Sequence, residues 1–311
     1  IPASSRKGKI NVMDFTPLKP TAEMLQKQTR PHLGFRQDAW LRLKKNRAAL
    51  VGLSIILFIS LLAVFGPMLS PYSYSDQTLA NANQPPSAAH WFGTDNLGRD
   101  LATRVCYGAR ISLAIGIVAS LINLGIGVLY GGISGYFGGR IDSVMMRIVD
   151  ILYGIPLLLY VILLMVVLKP GLLNVFIALG LVYWLRMARI VRAQVLGLKE
   201  LEFVLAARVL GASPRRLIFG HLLPNSLGPI IVTLTLSIPE AIFIEAFLSF
   251  IGLGVSAPMA SWGVLASEGV VTLRSYPFQL LWPAIAISLT MLGFNCLGDG
   301  LRDALDPRMR R

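Results

Sequence analysis

Three arginines, Arg186, Arg189 and Arg192, recur at every third position and therefore share one face of a helix. Guanidinium groups in that register line an inner vestibule or meet carboxylates, or snorkel to lipid headgroups and fix orientation. Three acids could answer them: Asp150, Glu240 and Glu245 all lie inside or beside apolar runs. A charge at the centre of a bilayer costs roughly 2.5–3.5 kcal/mol on insertion scales, so such acids should face a partner or water. Glu245 and Phe250 suit an outer gate, with solvation near the outer surface the other reading for Glu245. Asp150 is a candidate partner for one arginine. A second constellation, Asp95, Arg99 and Asp100 beside Trp91 and Phe92, is punctuated by Gly93 and Gly98. It suits docking of an external protein, a self-capped lid, or internal salt bridges. Pro258, Ser261, Trp262 and Gly263 mark another external segment too broken to span. None of this is bond-making chemistry. Cys106 and Cys296 lie far apart, His32, His90 and His221 are scattered, and the apolar runs hold no converging His/Asp, Ser/Lys or HExxH set. A metal site, a disulfide framework and an intramembrane enzyme all lack support.

The elements that position these residues follow from composition. The 311 residues are 54% hydrophobic and only 14% charged, against about 25% charged in an ordinary soluble domain. Lipid is the solvent that such a chain requires. Its net charge of +13 could suit nucleic acid, but the basic residues flank long apolar runs, which is a topology signal instead. The chain opens on Ile1 rather than Met, so the true start is expected upstream. No signal peptide is expected, because polar and basic residues up to Arg47 precede the first apolar run.

A spanning helix needs about 20 mostly apolar residues. Six runs qualify: 48–69, 111–139, 151–168, one from Leu172 that meets Arg186, one from Leu217 or Ser226 to Pro239, and 275–298. An all-α, polytopic fold with both ends inside is expected. It divides into a cytoplasmic tail with an interfacial helix (1–47) and a six-helix domain (48–311). The latter carries an external loop (70–110), an inner loop (201–224) and an external or re-entrant segment (248–274). With that orientation 24 of the 29 lysines and arginines lie on inner pieces, as the positive-inside rule requires. Five or seven spans would place arginine-rich pieces on the wrong side. Gly127, Gly131 and Gly135 give the second run a smooth face, for packing within the chain or against a second subunit.

The stretch Glu202–Pro224 reads as two short helices joined by a turn. Leu205, Ala206 and Ala207 lead to Gly211, which can end a helix in the left-handed conformation. After Ala212, Ser213 is a candidate N-cap with Pro214 at the first helical position and Arg215 behind it. Pro224 then breaks the second helix before the fifth run.

This stretch resembles the EAA motif of ATP-binding-cassette importer permeases, through Ala206, Ala207, Gly211, Leu223 and Pro224. Leu205 stands where that motif has an acidic residue, and His221 where it has isoleucine. Trp91–Asp100, Tyr107–Leu113, Gly138–Arg147, Glu245–Gly254 and Gly298–Pro307 are similar to the dipeptide/oligopeptide branch of those permeases. The likeness runs from about Arg42 to the end, and over 142–192 it is strongest to the C-type subunit of oligopeptide permeases. It implies a type I importer permease in a bacterial plasma membrane, one of two homologous subunits around a peptide pore. Two cytoplasmic ATPases would bind ATP and Mg, and an external peptide-binding lipoprotein would deliver substrate. It also implies that Leu205, Ala206, Ala207, Gly211, Ala212, Ser213, Pro214, Arg215 and Pro224 dock an ATPase. Asp150, Arg186, Arg189, Glu240, Glu245 and Phe250 are then candidates for the path or gate, and Trp91, Asp95, Arg99, Asp100 and Trp262 candidates for docking the binding protein. The chain has no GxxxxGK[ST] phosphate loop, its only Gly-Lys pair being Gly8-Lys9 before Ile10. Nickel chelates or other small solutes are alternative cargoes. A secondary transporter, the other alternative, would need inverted repeats and broken midplane helices, and the sequence displays neither clearly.

Overall fold

A computed structural model describes residues 34–256 and 258–305. The expectations for the tail before residue 34, and for Asp306 and Pro307, lie outside the described residues. The chain divides into an N-terminal unit ending at Asp38 and a compact unit from Ala39 onward. Among the described residues the architecture is helical without strands, apart from an isolated bridge between Thr94 and Asp100.

Where an interfacial helix is expected over 38–47, the structure has a helix, α1, over Phe35–Lys45. Asn46 then caps α2, Arg47–Leu69, its side chain accepting from the Ala49 amide at 3.1 Å. Twenty-three residues rise about 35 Å, enough for an apolar core of about 30 Å. α3 runs from Leu101 to Phe137, ten residues earlier than the apolar run implied. The charges of Arg104 and Arg110 hide that start, but Asp100 supplies it by accepting from the Thr103 amide and hydroxyl.

The third run is the largest departure. It is not one straight span from Ile151 but two helices, α4 (Gly139–Tyr153) and α5 (Leu157–Leu168), bent by 79°. Pro156 lacks an N–H and pushes Ile155 out of the helical region, while Gly154 offers little resistance. α6 (Leu172–Leu198) continues well past Arg186. After the inner loop, α10 (Leu227–Phe250) passes through Pro239 rather than stopping there. A proline inside a span removes one hydrogen bond, not the helix. α11 (Trp262–Val271), capped by the Ser261 hydroxyl at 3.2 Å from the Val264 amide, is too short to cross. α12 (Phe278–Leu305) absorbs the Asp299 region into its last turns. Among the described residues five helices are long and apolar enough to span, or six if the bent pair crosses as one span.

α3 is the central post, packed on α6, α10 and α2, while α12 closes against α2, α10 and α11. The four-residue glycine spacing is used inside the chain. A Cβ on Gly127 would meet Met187, one on Gly131 the Ala188 carbonyl, and one on Gly135 the Arg192 carbonyl, all on α6. Gly131→Leu is therefore expected to separate α3 from α6, at about 1–3 kcal/mol or more for overpacking. The check is the yield of monodisperse protein in detergent, with Gly125→Leu, in open space, unaffected.

Candidate coupling loop and translocation path

The inner loop is a clip with an anchored side and a bare side. α7 (Glu202–Val209) and α8 (Pro214–Leu217) are followed by a π-helical turn, Ile218–Leu222, and a last turn, α9, Leu223–Asn225. Val204, Leu217, Leu222 and Leu223 are buried against Met187, Val191 and Val195 of α6. The loop is therefore anchored to α6. Between the two helices the chain makes a Schellman turn. Gly211 sits at φ +83°, its amide donates to Arg208 O, and the Ala212 amide donates to Ala207 O, both at 3.0 Å. Ser213 then accepts from the Arg216 amide at 3.4 Å, with Pro214 at the first helical position. Pro224 cannot donate to Gly220 O and its ring crowds that carbonyl, which accounts for the widened turn before it. At the tip, Val209 and Leu210 are 86% and 87% exposed. Two bare aliphatic side chains beside the turn glycine form a blunt apolar knob. Leu205, Ala206 and Arg215 are exposed on the same loop, and Ala212 is half-buried.

The three arginines of α6 each find a different acid. Arg186 reaches Glu240 of α10 at 2.9 Å, and Arg189 reaches Asp150 of α4 at 2.5 Å while lying over the Tyr153 ring. Arg192 grips Asp142 with two bonds, at 2.5 and 2.6 Å, and Ser134 of α3 adds a third to that carboxylate. Arg186 and Arg189 remain open to solvent, whereas Asp142 is buried. This ladder ties α6 to α4 and α10 along the face that also bears the bend. Asp142 is the member that spacing alone did not single out, although its place in the first turn of a helix was readable.

Glu245 does not occupy the solvated position that was one expectation for it. It is fully buried, accepting from Ser249 at 2.7 Å and Ser112 at 3.3 Å, where α3, α10 and the start of α11 converge. The Trp262 amide donates to Ser112 and its indole N–H to Val105 O. Phe250, at the end of α10, is exposed.

The external constellation is mostly internal. Asp95 accepts from the Leu97 and Arg99 amides, from Arg99 Nε at 2.6 Å, and from Arg104. Arg104 also donates to Glu268 of α11 at 2.8 Å, and Arg99 reaches the same carboxylate at 3.3 Å. Burial pushes the Asp95 carboxyl up, but Arg104, the Arg99 amide and the Arg99 side chain outweigh it and hold it below the usual range. Asp100 pairs with His90 at 2.9 Å. Asp95, Arg99, Asp100 and Trp262 are thus buried, their polar groups spent on bonds within the loop, to α3 and to α11. Trp91, 75% exposed, is the one of the five presented outward. Arg104 and Glu268 were the partners that sequence reading missed. Among the described residues no group of three His, Cys, Asp or Glu side chains could hold a metal ion.

Comparison with known proteins gives a uniform picture. Residues 127–311 match the model of the "binding-protein-dependent transport system inner membrane component", and residues 34–86 match the N-terminal transmembrane domain of oligopeptide transport permease C. A dipeptide transport system permease protein, DppC, of Bacillus subtilis is 58% identical over 91% of this chain and 88% of its own length. The oligopeptide transport system permease protein OppC of the same organism is 54% identical over 96% and 97%. OppC of Escherichia coli K12 is 46% identical over 88% and 91%. A chain of the MetNI methionine ABC transporter in an inward-facing conformation shares the fold at TM-score 0.51, with 18% identity, over 66% of this chain and 96% of that one.

Proposed function

Since this chain belongs to the family of binding-protein-dependent transport system inner membrane components, we propose that it is a pore-forming permease subunit of an ATP-driven importer of di- and oligopeptides. The observation that carries this reading is its match to the oligopeptide permease of Bacillus subtilis, which spans 96% of one chain and 97% of the other. A second, homologous permease subunit completes the pore. Two cytoplasmic ATPases bind ATP and Mg, and an external lipoprotein supplies peptide.

The chain's own task is to transmit force, not to catalyse. The apolar knob Val209–Leu210 fits a groove on an ATPase, and the clip holds that knob rigidly to α6 through Val204, Leu217 and Leu222. Closure of the ATPase pair would shift the clip, and with it the arginine ladder that joins α6 to α4 and α10. Exposed ion pairs such as Arg186–Glu240 and Arg189–Asp150 cost little to exchange, so they suit a path that opens alternately to either side. Access changes through the conformation each partner prefers.

Affinity purification from native membranes tests the reading, with a cassette ATPase expected in the eluate. A photo-crosslinker at Ala212 should join this chain to that ATPase. An eluate without any such ATPase would end the proposal.

A further inference from the structure

The bend between α4 and α5 borders a cavity of about 250 Å3. Its wall combines Asn123 of α3, Pro156 at the bend, Tyr183 and Arg186 of α6, and Ser237 and Glu240 of α10. Four spans therefore meet at the one place where a span is broken. α5 rises only about 18 Å, short of an apolar core of about 30 Å, so a pair that crosses as one span has its break inside that core. Non-helical backbone at such depth is tolerated where it lines a cavity.

Two wall residues carry unanswered polar atoms. Asn123 is 2% exposed and Tyr183 5%, yet neither Asn123 Oδ1 nor the Tyr183 hydroxyl has a hydrogen-bond partner. Buried polar groups are nearly always paired, and Ser237, on the same wall, bonds to Ser120 at 2.8 Å. Beside them stands the exchangeable Arg186–Glu240 pair. An acceptor, a hydroxyl that can donate, and a separable carboxylate on one wall match the amide N–H, carbonyl and ammonium of a peptide's amino-terminal end.

We propose that this cavity is a station for the backbone of the transported peptide. The amino terminus lies against Glu240, the first amide donates to Asn123 Oδ1, and a backbone carbonyl accepts from the Tyr183 hydroxyl. The volume limits what enters. Pockets that enclose drug-sized ligands hold roughly 300–1,000 Å3, so this one takes one or two residues and leaves the remaining peptide in the pore. Recognition through the backbone tolerates any side chain that fits. The inference rests on the peptide reading of the preceding subsection.

The test uses the complete importer in proteoliposomes, with external binding protein, internal ATP and labelled trialanine. Tyr183→Phe and Asn123→Leu remove atoms that bond to nothing in the free chain, so assembly should be unaffected. Each should slow uptake by about tenfold, the kinetic equivalent of one lost hydrogen bond. A benzophenone amino acid at position 183 should label trialanine, and one at Leu163, exposed on α5, should not. Unchanged uptake in both variants, or no peptide adduct at 183, would mean that the cavity holds water only and would overturn the station. A wild-type importer that takes up no trialanine would instead overturn the peptide reading itself.

Discussion

A chain carrying Val209→Asp and Leu210→Asp is expected to reach the membrane in normal amount and to import peptide at least about a hundredfold more slowly. The first half follows from exposure. Side chains 86% and 87% open have almost no folded contacts to lose, and surface changes of that kind usually stay within about 0.5 kcal/mol. The second half follows from docking. If the knob is buried against a partner, two unpaired carboxylates must be desolvated there, at several kcal/mol for each ion. About 2.7 kcal/mol already corresponds to a hundredfold. Uptake into proteoliposomes, peptide-stimulated ATP hydrolysis and co-purification of the ATPase should fall together. Full-speed uptake by the diacidic variant would remove the coupling role of this loop.

Arg104→Leu should be the most damaging single change in the external half. Arg104 is fully buried, and its guanidinium serves Asp95 and Glu268 together. Removing one partner of a buried pair costs about 3–5 kcal/mol. Asp95→Asn in the same chain should recover part of the loss, because Arg99 would otherwise face both Asp95 and Glu268 alone. The pH dependence has a definite sign. The native Asp95 carboxyl lies below its ordinary value of 3.8. Its contribution is therefore complete above that value and is lost as pH falls through the depressed native value. Without Arg104, burial gains weight against the remaining groups and the carboxyl moves up. The acid-induced loss of stability that Asp95 contributes in the wild type should then be smaller in Arg104→Leu, so the difference between the two chains narrows as pH falls below 3.8. Thermal unfolding in detergent across a pH series measures both effects. A difference that stays constant as pH falls would sink the assignment of Asp95's depressed carboxyl to Arg104.

What sequence made legible was local. Gly211, Ser213 and Pro214 announce a turn and a restart within four residues, and the turn is there. Apolar length and basic flanks located the spans, because a bilayer imposes a single thickness on each. What escaped was tertiary or masked by charge. Nothing local links Arg186 to Glu240, 54 positions away, or Arg104 to Glu268, 164 away. Arg104 and Arg110 concealed the start of α3, although Asp100 and Thr103 spelled out its cap. The bend at Gly154–Pro156 lay inside a charge-free run that looked like a single span. Its proline and glycine were visible, but at Pro239 the same residue type leaves a helix unbroken. Which outcome holds depends on what the neighbouring spans can fill.

The 164-residue reach from Arg104 to Glu268 also sets a timetable for biogenesis. Ribosomes add about 5–20 residues per second, so roughly 8–33 s separate the synthesis of these two positions. Throughout that interval Asp95 alone faces Arg99 and Arg104, and the nascent loop carries a surplus guanidinium. The outer face can lock only after the tenth helix has been laid down and the eleventh has delivered its acid.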